Sequence, residues 1–219
     1  MRTAADKRHY WLRKLHSLTG VLPIGGYLAF HLFENAAVLV SGELFQRNAE
    51  FIESFGFLIM PVEALLIGSL LFHGLYGLVI VADARPNIAR YPIPRNWFFL
   101  FQRVTGGIAL IFIGYHVWDT RFEVYQAQFA GTHLAVSARW MGQNIWGAGG
   151  ANVLTGAAYI IGATASSMHL CNGIWSFLIK WGITVGATSQ RVSSWVWNGV
   201  GVAMSVAFIM VALKFLTFA

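Results

Sequence analysis

A single cysteine, Cys171, stands among 219 residues. That scarcity excludes a disulfide framework, a cysteine-rich zinc site, an iron–sulfur cluster and a haem attached through C-x-x-C-H. Charge is scarce as well: 11% of residues are Asp, Glu, Lys or Arg, against about 25% in soluble domains. An ordinary soluble globule is therefore not expected, and an apolar content of 57% rules out disorder. Acidic residues number nine against fifteen Lys and Arg, for a net charge of +6. The basic residues stand singly between apolar blocks instead of forming a stripe with interleaved aromatics, so no nucleic-acid partner is expected. What the chain has in quantity is nine Trp, seventeen Phe and seven Tyr, with a mean hydropathy of +0.59. Its solvent is read as largely lipid, and its length as one domain over residues 1–219, without interdomain linker or low-complexity tract.

Five apolar blocks reach the roughly 20 residues that a bilayer core of about 30 Å demands. They lie near 18–40, 58–82, 98–119, 152–179 and 193–218. The expected fold is an all-α integral membrane bundle of five transmembrane helices. Pro23 and Pro61 sit near block ends, where a missing N–H costs little. If the N-terminus is cytoplasmic, the inner segments hold Arg2, Lys7, Arg8, Arg13, Lys14, Arg85, Arg90, Arg95, Arg103, Lys180 and Arg191, eleven of the fifteen basic residues. Arg47, Arg121, Arg139 and Lys214 remain outside. The bias predicts N-terminus inside and C-terminus outside. The first apolar run exceeds a signal-peptide core and no A-x-A-like site follows, so it is read as a retained span. The long connection at 120–151, with Trp140 and Trp146, is expected along the outer interface.

Seven histidines occur. His9 and His133 fall in polar segments and His16 at the start of the first block, positions ordinary for solvated or interfacial imidazoles. His31, His73, His116 and His169 instead lie inside the first four blocks, one apiece. A titratable side chain at membrane depth is costly and marks function by default. Counted from the inner ends, His31 lies roughly 20 Å and His116 roughly 27 Å into their helices, both in the outer half. The second and fourth helices run the other way, which brings His73 and His169 within roughly 10 to 15 Å of the inner ends. Two histidines from two helices at each of two levels suit two stacked bis-imidazole sites.

Haem b fits such sites better than zinc, which takes three or four tetrahedral ligands, or a proton relay, which would place carboxylates beside the histidines. Haem iron needs two axial donors, apolar walls and small residues where the macrocycle meets backbone. Gly77 and Gly173 follow His73 and His169 by four positions and so share their helix faces. Thr19-Gly20 before His31 and Thr105-Gly106 before His116 hint at a duplicated two-helix unit. Propionate partners for the inner haem are available in Arg13, Lys14, His16, Ser17, Arg103 and Lys180, residues that positive-inside topology would also supply.

Several stretches then resemble one family in order along nearly the whole chain. They are Arg13-Lys14-Leu15-His16-Ser17-Leu18, His31-Leu32 with Asn35, His73-Gly74-Leu75-Tyr76-Gly77, Asn96-Trp97, Gln102-Arg103-Val104-Thr105-Gly106, His116-Val117-Trp118, His169 with Asn172-Gly173 and Trp175-Ser176, Trp181-Gly182-Ile183-Thr184 and Ser189-Gln190-Arg191. The sequence resembles the five-helix, dihaem cytochrome b membrane anchors of succinate dehydrogenases and quinol:fumarate reductases, above all the cytochrome b558 type. Segments 41–57 and 120–151 match poorly. The resemblance implies two haem b groups, the distal one on His31 and His116 and the proximal one on His73 and His169. It implies a flavoprotein subunit and an iron–sulfur subunit on the cytoplasmic face of a bacterial inner membrane, in the respiratory complex that joins the tricarboxylic acid cycle to electron transport. Electrons would pass through proximal and then distal haem to quinone, menaquinone being favoured, in a complex able to oligomerise. The chain itself would bind no dicarboxylate. A formate dehydrogenase or hydrogenase cytochrome b, and a transporter with a histidine relay, are the competing readings.

A quinone needs a titratable partner within electron-transfer reach of a haem. Carboxylates in or near outer span ends are confined to Glu34, three residues after His31, and Glu63, early in the second block. Glu63 is the first candidate for a quinone site; Glu34 replaces an apolar residue of the cytochrome b558 pattern and is the lesser one.

Overall fold

The computed structural model describes residues 4–118, 120 and 153–217. The expectations for Trp140, Trp146, Arg121, His133 and Arg139 lie outside the described residues. Those residues are all helix, turn and coil, with no strand among them.

The first apolar block is not one regular helix. Helix α1 (Ala4–Thr19) runs into a π turn at Gly20–Ile24 and continues as α2 (Gly25–Val40). Pro23 lies inside that turn. Without an N–H, and with a ring that would strike the carbonyl four residues back, proline is poorly housed in a regular α ladder; a wider turn relieves both.

Segment 41–57 holds elements that its apolar pattern did not announce. Helix α3 (Gly42–Glu53) starts where Ser41, in extended conformation, accepts a hydrogen bond from the Leu44 N–H at 3.1 Å. Glu43–Arg47 and Gln46–Glu50, each at 2.7 Å, lie along its exposed side. Phe45 anchors the other side, edge-on to Phe215 with ring centres 5.0 Å apart. A 3-10 turn (Gly56–Ile59) leads into α4 (Met60–Ala82), followed by α5 (Pro94–Trp118), α6 (Val153–Lys180) and α7 (Ala187–Leu216). Helix α6 stops at Gly182, whose φ of 74° only glycine adopts readily, and the Ile183 N–H closes the end on the Leu178 carbonyl at 2.9 Å.

Three stretches of the described residues are long and apolar enough to cross a membrane: Gly56–Ala82, Pro94–Trp118 and Ala187–Phe215. The first block, divided by the π turn, is not among them. Helix α6 is long enough, but Ser166, Ser167, His169 and Asn172 dilute its apolar content; Ser166, Ser167 and Asn172 are buried. Large side chains such as Phe33, Ile111 and Trp195 point outward, while the interior is built from Ala37, Val38, Tyr159, Val211 and Ala212 with Phe45 and Phe215. Ala109, Ala163, Ala165, Ser166 and Ser167 are buried as well, and such small residues between helices allow the close backbone approach that holds helices together in lipid. At Gly201 an added Cβ would meet Met168 Sδ at 3.0 Å and Cys171 Cβ at 3.1 Å, which shows how near α6 and α7 approach. Helix α6 packs mainly on α7 and α5, α2 on α3 and α7, and α4 on α1 and the π turn. Helices α4 and α5 scarcely touch each other, and that gap leaves room for the site.

Candidate functional site

A cavity of about 1890 Å³ runs through the bundle, and His31, His73, His116 and His169 all stand in its wall. Although they come from four different helices, they form two pairs. His31 on α2 and His116 on α5 have ring centres 5.9 Å apart with planes at 64°; His73 on α4 and His169 on α6 are 6.1 Å apart at 87°.

The other ring nitrogens are engaged. His73 Nδ1 lies 2.9 Å from the His16 carbonyl oxygen and His169 Nδ1 3.0 Å from that of Gln102. A carbonyl only accepts, so Nδ1 carries the proton in both rings and Nε2 keeps the lone pair. His116 Nδ1 is 2.8 Å from the Tyr159 hydroxyl. At His31, the Asn35 amide lies 3.2 Å from Nδ1, donates to the His31 carbonyl at 2.8 Å and reaches the Glu34 carboxylate at 3.1 Å. Aromatic rings brace three of the four: Tyr27 on His31 at 5.5 Å, Phe112 on His116 at 5.7 Å and His16 on His73 at 3.9 Å.

Arg13, Lys14, His16, Ser17, Arg103 and Lys180 also stand in the wall of the cavity. Some are committed to the protein. Lys14 donates to the Lys180 carbonyl at 2.7 Å and lies over the Trp181 ring at 4.3 Å; Ser17 donates to the Lys14 carbonyl at 2.8 Å and accepts from the Trp181 indole at 3.2 Å. Arg13 reaches Asp83 only at 3.9 Å on the surface. Two nitrogens are left over: His16 Nδ1 and Arg103 Nε are buried with no hydrogen-bond partner among the described residues. Lys180 still reaches solvent at the rim, yet loss of hydration first, and then the charges of Arg13, Arg103 and Lys14, lower its pKa. A cluster of cations with unpaired donors is a place where anionic oxygens gain hydrogen bonds and relieve repulsion.

Gly77 and Gly173 also line the cavity, but each has a nearer task. An added Cβ would sit 3.3 Å from His16 Cε1 at Gly77 and 3.3 Å from Gln102 Nε2 at Gly173. The glycines receive those side chains. Glu34 and Glu63 stand in the wall together with Tyr27 and Asn35. Gln102, Asn172, Tyr159 and Phe112 were not expected as site residues. Asn172 donates to Gln102 Oε1 at 2.7 Å and to the Phe98 carbonyl at 3.1 Å. Tyr159 is hidden in an apolar run, and only its phenol, which requires a partner when buried, could have signalled it.

No protein-family model matches the sequence. Over 205 residues, covering 92% of this chain and 94% of the relative, it is 37% identical to the succinate dehydrogenase cytochrome b558 subunit of Bacillus subtilis (strain 168). The chain belongs to the succinate dehydrogenase cytochrome b558 subunits. The resemblance read from its histidine-bearing stretches thus extends to the alignment of nearly the full length. For a cytochrome b558 subunit, a helical membrane bundle with an internal cavity walled by imidazoles is the architecture that a buried prosthetic group asks for.

Proposed function

We propose that this chain is the membrane anchor and electron-transfer subunit of a succinate:quinone oxidoreductase, with two haem b groups in the cavity. His73 and His169 would hold the inner haem and His31 and His116 the outer one. The observation that carries this reading is the pairing of four histidines at one spacing along one cavity. The ring centres of the two pairs stand 5.9 Å and 6.1 Å apart, a spacing at which the two imidazoles of each pair could share one metal ion through metal–nitrogen bonds of about 2 Å. The unpartnered His16 Nδ1 and Arg103 Nε, with Arg13 and Lys180 beside them, fit carboxylate side arms of the inner group. When bound, the two groups supply one-electron transfer from an iron–sulfur subunit on the cytoplasmic side, through inner and then outer position, to a quinone, which we take to be menaquinone.

The residues' own work is to hold and to exclude. The His16 and Gln102 carbonyls fix the inner rings and the Tyr159 hydroxyl the His116 ring, and apolar helix faces keep water from the imidazoles. Glu63, with Glu34 as the lesser candidate, would exchange protons with quinone near the outer pair. Succinate chemistry belongs to the flavoprotein partner. The test is a reduced-minus-oxidised spectrum with haem quantitation: two b haems per chain, both low-spin, are expected, and a single or high-spin haem in the native protein would remove the pairing.

Five spans with the N-terminus inside complete the reading. A cysteine placed at Gly131 should then react with a membrane-impermeant thiol reagent added from outside, and one at Asn87 should not. Native Cys171, 1% exposed, stays silent in that assay. The reverse labelling would invert the electron path.

A further inference from the structure

Two histidines on different helices are gripped by one local device. His73 lies against Gly20 of the π turn, so close that a Cβ there would run into the ring at Cε1 and stand 2.7 Å from Nδ1. His169 lies against Gly106 of α5, where a Cβ would be 2.7 Å from Cε1 and 3.0 Å from Nδ1. Each ring donates from Nδ1 to the carbonyl of the residue four positions before its glycine, His16 in one case and Gln102 in the other. A threonine precedes each glycine and shares its hydroxyl between that same carbonyl and the one before it: Thr19 reaches His16 at 3.0 Å and Leu15 at 3.1 Å, Thr105 reaches Gln102 at 3.4 Å and Phe101 at 2.8 Å. A second glycine, one turn after each histidine on its own helix, receives the clamp residue's side chain: Gly77 takes His16 and Gly173 takes Gln102. Five positions therefore recur in two halves of the chain with the same glycine and carbonyl contacts. The clamp side chains differ: His16 stacks on the His73 ring at 3.9 Å, and the Gln102 amide donates to the His169 carbonyl at 3.1 Å and lies 3.4 Å from His169 Nε2.

The physical logic is that a helical carbonyl has a second lone pair, normally shielded by the side chain one turn onward. Glycine at that position bares it, and a neighbouring imidazole can seat there edge-on. The ring then has one tautomer and one rotation, as second-shell partners of metal-bound histidines usually enforce. We propose that this duplicated glycine–carbonyl clamp is the positioning element of the inner pair, fixing His73 and His169 so that both present Nε2 to one iron. The proposal rests on the reading of these two histidines as haem ligands. Gly20, Gly106 and the carbonyls of His16 and Gln102 act through the ligands and touch no reacting atom.

The test uses the intact complex carrying Gly20→Ala or Gly106→Ala, followed by electron paramagnetic resonance of the oxidised haems. The added methyl occupies the ring's place, so the inner low-spin signal should vanish or convert to high-spin while the outer signal persists. Gly26→Ala and Gly114→Ala, where a Cβ meets nothing within 4 Å, should leave both signals unchanged. An unaltered inner signal in both clamp variants overturns the proposal. Should those variants fail to accumulate, Thr19→Val and Thr105→Val decide the matter. Each keeps the shape but removes a donor that competes for the clamp carbonyl; the imidazole bond strengthens, the ligand becomes more basic, and the inner haem's midpoint potential should fall with both haems retained. An unmoved potential in both threonine variants overturns it equally. A wild-type complex lacking bis-histidine low-spin haem, or an inner haem that survives His73→Ala, would instead sink the ligand reading itself.

Discussion

Replacing His73 or His169 by alanine should abolish the inner haem, leave the outer one spectrally intact, and reduce quinone-linked succinate oxidation by more than about 100-fold, since partners that merely orient a metal ligand already cost 10- to 100-fold when lost. The converse variants, His31→Ala and His116→Ala, should remove the outer haem selectively. The selectivity follows from geometry: His31 with His116 and His73 with His169 form separate pairs, 5.9 Å and 6.1 Å from ring centre to ring centre, so a change in one pair leaves both ligands of the other in place. The measurement is haem content and low-spin signals in membranes of each variant. Loss of both haems together in every variant, with normal protein levels, would contradict two independent sites.

Glu63→Gln should leave both haems and the reduction of a soluble artificial acceptor unchanged while quinone-coupled turnover drops by about 100-fold or more, the scale on which a positioned acid–base group acts. Glu63 sits in the first turn of α4, two residues after Pro61, and faces the same cavity as Tyr27, Glu34 and Asn35. Glutamine keeps the size and a hydrogen-bonding group but cannot exchange the proton. Glu34→Gln should have the smaller effect, since Glu34 stands where the family pattern has an apolar residue. Normal quinone activity in Glu63→Gln removes that residue from the mechanism.

The parts of this arrangement that could be read from residues are those written in side-chain chemistry. Four histidines in separate apolar blocks, cations gathered at one level and long apolar runs are visible because each goes against or along the solvent preference of lipid. The grip on the inner rings is different, because its acceptors are the backbone carbonyls of His16 and Gln102, and a carbonyl has no letter in a sequence. Its trace was the recurrence of Thr-Gly at 19–20 and 105–106, which hinted at duplication without revealing a purpose. Gly77 and Gly173 were read as room for porphyrin because they share a face with their histidines; their nearer contacts are side chains from other helices, which spacing along one helix does not disclose. Helix α3 escaped notice since it is short and amphipathic among apolar neighbours, although Ser41 ahead of it is a good cap.

The π turn at Gly20–Ile24 carries a consequence for angular phase. From His16 to His31 the chain advances fifteen positions, whereas from Gln102 to His116, the matching stretch of α5, it advances fourteen. One surplus residue in a regular helix would swing His31 by about 100° around the axis, away from His116. A π turn absorbs one residue without advancing the phase, so the azimuth set at His16 is still in step at His31. The two halves of the bundle thus differ by one residue in length but not in direction. Within this helix the π turn is the place where an added residue leaves the outer histidine aimed at its partner.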